Sequence, residues 1–225
     1  MNILVVAATR SEIEPLLNVV DCELSVAGNH QSNSLTTHNT QLTTLVTGVG
    51  MVATAYALGV HLATHSYDLA LNLGIAGSFD RHIALGDVVE VTEDTFGELG
   101  AEDDELFLPI ETLGFGESKY HASAALNDFY ADSDIKQVSG ITVNTVHGNA
   151  YNIEKLTSRL PVQVESMEGA AFFYACKQAG VPALQIRAVS NYVEKRNRDA
   201  WKIGPAIKNL NSFAENLLSV VGCKL

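Results

Sequence analysis

Leu69-Ala70-Leu71-Asn72-Leu73 runs directly into Gly74-Ile75-Ala76-Gly77, and this stretch decides the fold class. Apart from Asn72, residues of both parities are apolar, which fits a strand covered on two faces rather than one with a wet side. Similar short runs recur at Ile3–Ala7, Leu42–Thr47, Val88–Thr92, Ile141–Thr145 and Ala183–Val189. Helical patterns separate several of them: one begins at Ser11, one covers Met51–Thr64, and one follows Glu165-Ser166-Met167-Glu168 and stops at Gly180, with Pro182 just beyond. The last helix starts near Pro205 and repeats Ile207, Leu210, Phe213, Leu217, Leu218 and Val221 at helical spacing. The alternation predicts an α/β fold, a three-layer α/β/α sandwich around a central mixed, largely parallel twisted sheet. Glu98–Glu117 mixes acids, glycines and aromatics without a period and reads as a long loop. No repeat or linker divides the chain, so residues 1–225 are expected to form one domain.

Composition excludes several classes of function. The net charge of −12, with no basic stripe to offset it, argues against nucleic acid as a partner. No apolar run approaches the ~20 residues needed to span a bilayer, and the amino terminus lacks the pattern of a secretory signal, so a cytoplasmic protein is expected. Cys22, Cys176 and Cys223 have neither the count nor the spacing of a disulfide framework or a zinc site. They are read as thiols, with no metal and no cofactor implied.

In open α/β sheets ligands gather beyond the carboxyl ends of the strands. After the first strand, Ser11 and Glu14 have capping-box spacing, which predicts Ser11 as the N-cap and Glu12 as the first helical residue. A carboxylate there is favoured by the helix dipole and can serve as a general base, although a plain surface acid reads the same way. Glu168 sits near another helix start, where it can accept from ribose hydroxyls, and a surface acid favoured by the helix dipole reads equally well. Asn191 follows Ala183–Val189 and offers both an amide donor and a carbonyl acceptor to a heterocycle edge. Gly48-Val49-Gly50-Met51-Val52-Ala53 matches a dinucleotide-binding pattern, but the candidate ribose acid, Asp68, precedes its strand and so lies at the wrong edge.

These strand ends, read together, resemble the purine nucleoside phosphorylase and nucleosidase superfamily, and within it the futalosine hydrolase family. The likeness rests on Ala8–Glu12, Thr47-Gly48-Val49-Gly50, Asn72–Gly77, Leu85-Gly86-Asp87-Val88, Val164–Ala171 and Arg187-Ala188-Val189-Ser190-Asn191. It implies a nucleosidase that hydrolyses futalosine to hypoxanthine in menaquinone biosynthesis, without a cofactor, as a homodimer or higher homo-oligomer. By likeness to the methylthioadenosine/S-adenosylhomocysteine nucleosidases, Glu12 corresponds to the water-activating acid, Met167 and Glu168 to the ribose-binding pair, and Tyr151 to the aromatic stacked on the base. Gly77 falls in the glycine-rich strand end that approaches substrate, and Ser190 and Asn191 fall where that family has a serine and a proton-donating aspartate. The amide at Asn191 suits a 6-oxopurine, since it can donate to N7 or O6. The segment Asn191–Ile203 is similar to the futalosine hydrolase loop, whose Arg196 or Arg198 is placed to meet a carboxylate beyond C5′, and Phe96–Phe115 is expected to contribute across a dimer interface. A phosphate-dependent phosphorylase, a methylthioadenosine/S-adenosylhomocysteine nucleosidase and a non-catalytic nucleoside-binding protein are the alternatives; against the phosphorylase, only Arg10 lies near the first strand's end, beside the anionic Glu12.

Overall fold

In the computed structural model, which describes residues 1–19, 23–26, 35–37, 40–130 and 134–222, the strand Asn2–Ala7 (β1) is buried at every position after Asn2. The next strands are Glu23–Val26 (β2), Leu35–Thr37 (β3), Thr40–Val46 (β4), Leu69–Ser78 (β5), Val88–Phe96 (β6), Gly100–Asp103 (β7), Leu106–Pro109 (β8), Lys119–His121 (β9), Lys136–Thr142 (β10), Val164–Ser166 (β11) and Ala183–Tyr192 (β12). Five α-helices accompany them among the described residues: Arg10–Val19 (α1), Met51–Leu62 (α2), Ala150–Arg159 (α3), Gly169–Ala179 (α4) and Ile203–Val220 (α5).

β1 lies between β4 and β5 and is parallel to both. Its odd residues, Ile3, Val5 and Ala7, pack with Ile13 and Leu16 of α1 and Leu210, Ala214 and Leu217 of α5. Its even residues, Leu4 and Val6, pack with Leu58 of α2 and Phe172 and Phe173 of α4. Burial on both faces is thus what the unbroken apolar runs encode, each buried Leu, Ile or Phe contributing roughly 1.5–3 kcal/mol. The sheet runs β2-β4-β1-β5-β12-β6-β10-β11, with mostly parallel pairings and β6 antiparallel to β12. This is the mixed α/β architecture that the sequence predicts.

Periodicity does not anticipate the closure of half the sheet. β11 pairs with β10 and also, antiparallel, with β5, so β5, β12, β6, β10 and β11 form a ring. Ala76, Val89, Val91, Val138, Val164 and Val189, contributed by all five strands, cluster as its apolar filling. β5 therefore continues through Gly74-Ile75-Ala76-Gly77 to Ser78 instead of turning at Gly74. Ring formation keeps that backbone paired, and the two glycines admit side chains from β12. A Cβ at Gly74 would lie 2.9 Å from Arg187 Nη1, and one at Gly77 would lie 3.1 Å from Asn191 Nδ2. The expected loop Glu98–Glu117 contains the β7–β8 hairpin, in which Ala101 pairs with Leu108 and Glu102 with Phe107. Its strands are too short and irregular in composition for a period-2 signal. Among the described residues no helix is long and apolar enough to cross a membrane. Cys176 is a buried thiol whose pKa burial raises to about 12; Cys22 and Cys223 lie outside the described residues.

Beneath α4 the sheet carries a seam of polar side chains. Thr142 Oγ1 donates to Asp94 Oδ1 at 2.8 Å, Gln185 Nε2 donates to Asp94 Oδ2 at 2.9 Å, and Ala170 N in the first turn of α4 donates to Thr142 Oγ1 at 2.7 Å. These bonds dock the helix N-terminus on the sheet and require Gly169, where a Cβ would stand 2.0 Å from Asp94 Oδ2. Gly169→Ala is expected to cost at least about 2–3 kcal/mol in urea unfolding through overpacking against fixed polar atoms. Burial raises the Asp94 pKa to about 6, against which the hydrogen bonds from Gln185 and Thr142 act. The folded state thus holds the proton more tightly than the unfolded chain between roughly pH 4 and 6, and this group's contribution to stability falls as pH rises through that window. Asp94→Asn, whose amide can donate to the orphaned Gln185 Oε1, should gain on the parent by about 3 kcal/mol between pH 3.5 and pH 7. A stability difference that stays flat with pH would contradict this account.

Candidate functional site

At the carboxyl ends of β1, β5 and β12, and beside β11, lies a cavity of about 420 Å³, a size suited to a small ligand. Glu12, Gly77, Met167, Glu168, Ser190 and Asn191 all line it. Six of the seven expected site residues are therefore brought together from four separate chain segments.

Glu12 is held by the turn out of β1. Thr9 N and Thr9 Oγ1 donate to its Oε2 at 2.8 and 2.9 Å, and Ile75 N approaches its Oε1 at 3.3 Å. The threonine-to-glutamate spacing that fixes this end of the helix is Thr9–Glu12, not Ser11–Glu14 as expected. α1 already begins at Arg10, and Glu14 faces outward in an exposed ion pair with Arg10 at 3.6 Å. Glu12 is buried among these donors, leaving a well-fixed carboxylate at the cavity wall.

Glu168 is the residue before α4, and its side chain does not cap that helix. Its Oε1 accepts from Gly50 N, at the start of α2, at 2.9 Å, and its Oε2 from Met167 N at 3.3 Å. The Gly50 φ of 97° puts this position in the region that favours glycine, so the turn after β4 depends on that residue. Burial raises the Glu168 pKa, while the Arg187 guanidinium and the Gly50 N–H pull it back down.

Asn191 lies on β12 just after a register shift. Its Oδ1 accepts from Ser190 Oγ at 2.9 Å and its Nδ2 donates to the Tyr192 carbonyl at 3.0 Å. The Tyr192 carbonyl, which can only accept, fixes which end of the amide is which: the NH₂ faces it and retains a second proton for a ligand. Gly77 is the register partner of Asn191 on one side and of Glu165 on the other, so β12, β5 and β11 place these three positions side by side.

Tyr151 falls outside the cavity lining and is 69% exposed. It sits in the first turn of α3, where Asn149 caps the helix by accepting from Asn152 N, and this start directs Tyr151 toward solvent. His147 enters the cavity instead, with its Nδ1 hydrogen-bonded to Glu165. Of the two arginines expected near a distal carboxylate, Arg196 lines the cavity and stacks over Trp201 at 4.9 Å, and Arg198 does not line it.

Arg187, His147 and Glu165 escape the sequence reading. Arg187 is fully buried, donates to Asn72 Oδ1 at 3.1 Å, and is flanked by Glu12, Glu168 and Asp94. Its signal is a charge two residues after Gln185 within an otherwise apolar strand, both side chains facing α4. His147 and Glu165 have no such local signal, because their pairing depends on ring closure.

The family model described as the phosphorylase superfamily matches residues 2–222. The futalosine hydrolase of Streptomyces coelicolor is 36% identical over 157 residues, covering 69% of this chain and 67% of that protein. That of Thermus thermophilus is 30% identical over 183 residues, covering 79% and 81%. Among solved structures, the Helicobacter pylori 5′-methylthioadenosine/S-adenosylhomocysteine nucleosidase, in complex with butyl-thio-DADMe-Immucillin-A, superposes with a TM-score of 0.83 at 18% identity, covering 97% of this chain and 98% of that one. The chain belongs to the phosphorylase superfamily and, within it, to the futalosine hydrolase family of N-glycosidic hydrolases.

Proposed function

We propose that this enzyme hydrolyses the N-glycosidic bond of a 6-oxopurine nucleoside, futalosine foremost, and releases hypoxanthine. The observation that carries the reading is the convergence of Glu12, Glu168 and Asn191 on one cavity. Glu168 accepts from the ribose hydroxyls, Asn191 donates to N7 or O6 of the base, and Glu12 takes a proton from the water that attacks C1′. As the C1′–N9 bond lengthens, the ribosyl group gains positive charge, which the fixed carboxylates stabilise. Asn191 favours the 6-oxopurine because the Tyr192 carbonyl fixes its NH₂, whose second proton is left to meet an acceptor. A 6-amino group presented there would leave donors facing one another, at roughly 1–3 kcal/mol for each unpaired group. Arg196 is placed to pair with an anionic substituent beyond C5′.

Hydrolysis is favoured over phosphorolysis by the charge around the site. Arg10 is drawn away to Glu14, and among the described lining residues no lysine or arginine stands near the Thr9–Glu12 turn to cradle phosphate. We also propose a homodimer through α2. Val49, Val52, Tyr56 and Val60 form one apolar helix face, with Val52 77% and Tyr56 72% exposed, and Val49 joins that face to the cavity.

Glu12→Gln should lower kcat by about 10²–10⁴-fold with KM changed by no more than a few-fold, read by chromatography of released hypoxanthine. Turnover near the parent's would remove Glu12 from this role, and release that requires added phosphate would replace hydrolysis by phosphorolysis. Val52→Glu should convert a dimer to a monomer in light scattering; an unchanged mass would place the interface elsewhere.

A further inference from the structure

Asn191 can polarise a departing base but has no proton of suitable acidity to give it, and the geometry points to another residue of the same cavity for that task. We infer that His147, positioned by Glu165, is the general acid that protonates the leaving base. The inference rests on the nucleosidase reading above and adds the one proton transfer which that reading leaves without a donor.

Glu165 is buried on β11, and both of its oxygens are committed to His147. Oε1 accepts from the backbone His147 N at 2.9 Å, and Oε2 accepts from the ring Nδ1. The carboxylate therefore fixes the ring orientation and places a proton on Nδ1, leaving Nε2 as the atom available to a ligand. His147 lines the nucleoside cavity. It is also the residue shared with a second concavity of about 440 Å³, which is lined by Glu98, Phe107, Asn152, Lys155 and Arg159. Register places the pair at the base end of the site. Glu165 and Asn191 are both Cα partners of Gly77, on opposite sides, so their backbones are about 10 Å apart across one strand. Asn191, His147 and Glu165 all line the one cavity, so a planar base held beside the Asn191 amide lies on the side of the site that carries the His147–Glu165 pair.

The step balances as follows. The C1′–N9 bond breaks with both electrons going to the base, and the Nε2 proton of the His147 imidazolium passes to a ring nitrogen of that base. Water oxygen bonds to C1′ and gives one proton to Glu12, which returns it through solvent to His147. The hydrogen bond to Glu165 is the main influence raising the His147 pKa; burial opposes it, Glu98 reinforces it and Arg159 opposes it. Lys155 from α3 lines the second concavity, Glu12, Glu168 and Glu194 line the nucleoside cavity with His147, and the Arg196 backbone lies beside Gly148, next to His147.

The test compares wild type with His147→Gln and Glu165→Gln on inosine or futalosine and on 4-nitrophenyl β-D-ribofuranoside, whose phenolate leaves without a proton. His147→Gln should lose about 10²–10³-fold in kcat on the nucleoside but less than tenfold on the nitrophenyl riboside. It should also lose the alkaline fall in kcat/KM that the wild type shows as the imidazolium deprotonates. Glu165→Gln, which removes the charge supporting that imidazolium, should move the alkaline limb to lower pH. Equal losses on both substrates, which a purely structural role gives, or an alkaline limb left in place by Glu165→Gln, overturn the inference. Normal nucleoside hydrolysis by His147→Gln sinks this inference alone, whereas wild type that releases no base from any purine nucleoside sinks the nucleosidase reading itself.

Discussion

Burial of Arg187 is the constraint on which the site depends. Its guanidinium is fully enclosed, with Nη1 against Asn72 and Gly74 of β5, and taking a cation out of water costs several kcal/mol unless anions and hydrogen bonds answer it. Asn72 and the Ile186 carbonyl accept from Nη1, while Glu12, Glu168 and Asp94 supply the opposing charge. Burial pushes the guanidinium pKa down and the three acids push it back up, so the cation and the carboxylates hold one another in place. Gly74 belongs to the same constraint, because only a residue without a Cβ lets Nη1 lie against β5. One cation against three acids leaves the neighbourhood electronegative even where Asp94, with a pKa near 6, retains part of its proton. That excess suits a ribosyl group acquiring positive charge and opposes entry of free phosphate.

Ring closure supplies the rest. Were the sheet open, β11 would sit at its far edge, three strands beyond β12. By pairing with β5 as well as β10, β11 carries Ser166, Met167 and Glu168 back to the ends of β5 and β12 and sets Glu165 beside Gly77. Glu168 then reaches the start of α2 through Gly50, tying the two halves of the cavity together. The valine filling of the ring is thus part of the reason why residues remote in sequence meet one substrate.

How much of this is legible in the chain depends on whether the signal is local. Ile3–Ala7, Leu69–Leu73 and Ala183–Val189 announce doubly covered strands because, apart from Asn72, Gln185 and Arg187, residues of both parities are apolar, and Glu12, Glu168 and Asn191 stand just past or at the ends of strands, where ligands gather. The failures are of a different kind. The Ser11–Glu14 spacing imitates a capping box, but Thr9–Glu12 has equivalent spacing two residues earlier, and a hydroxyl and an amide of Thr9 together hold Glu12. The run Leu69–Leu73 is read as ending at Gly74; the strand instead continues to Ser78, with glycine making room within it for side chains of β12. Tyr151 follows from family likeness alone, and the cap at Asn149 turns it outward. The His147–Glu165 pair is written nowhere locally, since the two residues meet only once β11 has closed the ring.

Magnitudes decide how the work at the base is divided. A neutral amide hydrogen bond contributes about 0.5–1.5 kcal/mol net, and more as charge builds on its acceptor. Positioned proton transfer is worth 10²–10⁴ in rate, or about 3–5 kcal/mol of barrier. An amide in place of an acid therefore leaves a deficit that recognition cannot offset, however well the Tyr192 carbonyl orients it. In the proposed reaction Glu12 and Glu168 are committed to water and ribose, and Arg196 is too basic to release a proton at neutral pH. An imidazolium is acidic enough to surrender a proton and basic enough to recover it from solvent, and among the described lining residues only His147 carries that ring. In the proposed reaction Asn191 thus sets which base is accepted and His147 how it departs, the two lining one cavity in which Asn191 and Glu165, which holds His147, come from strands on either side of Gly77.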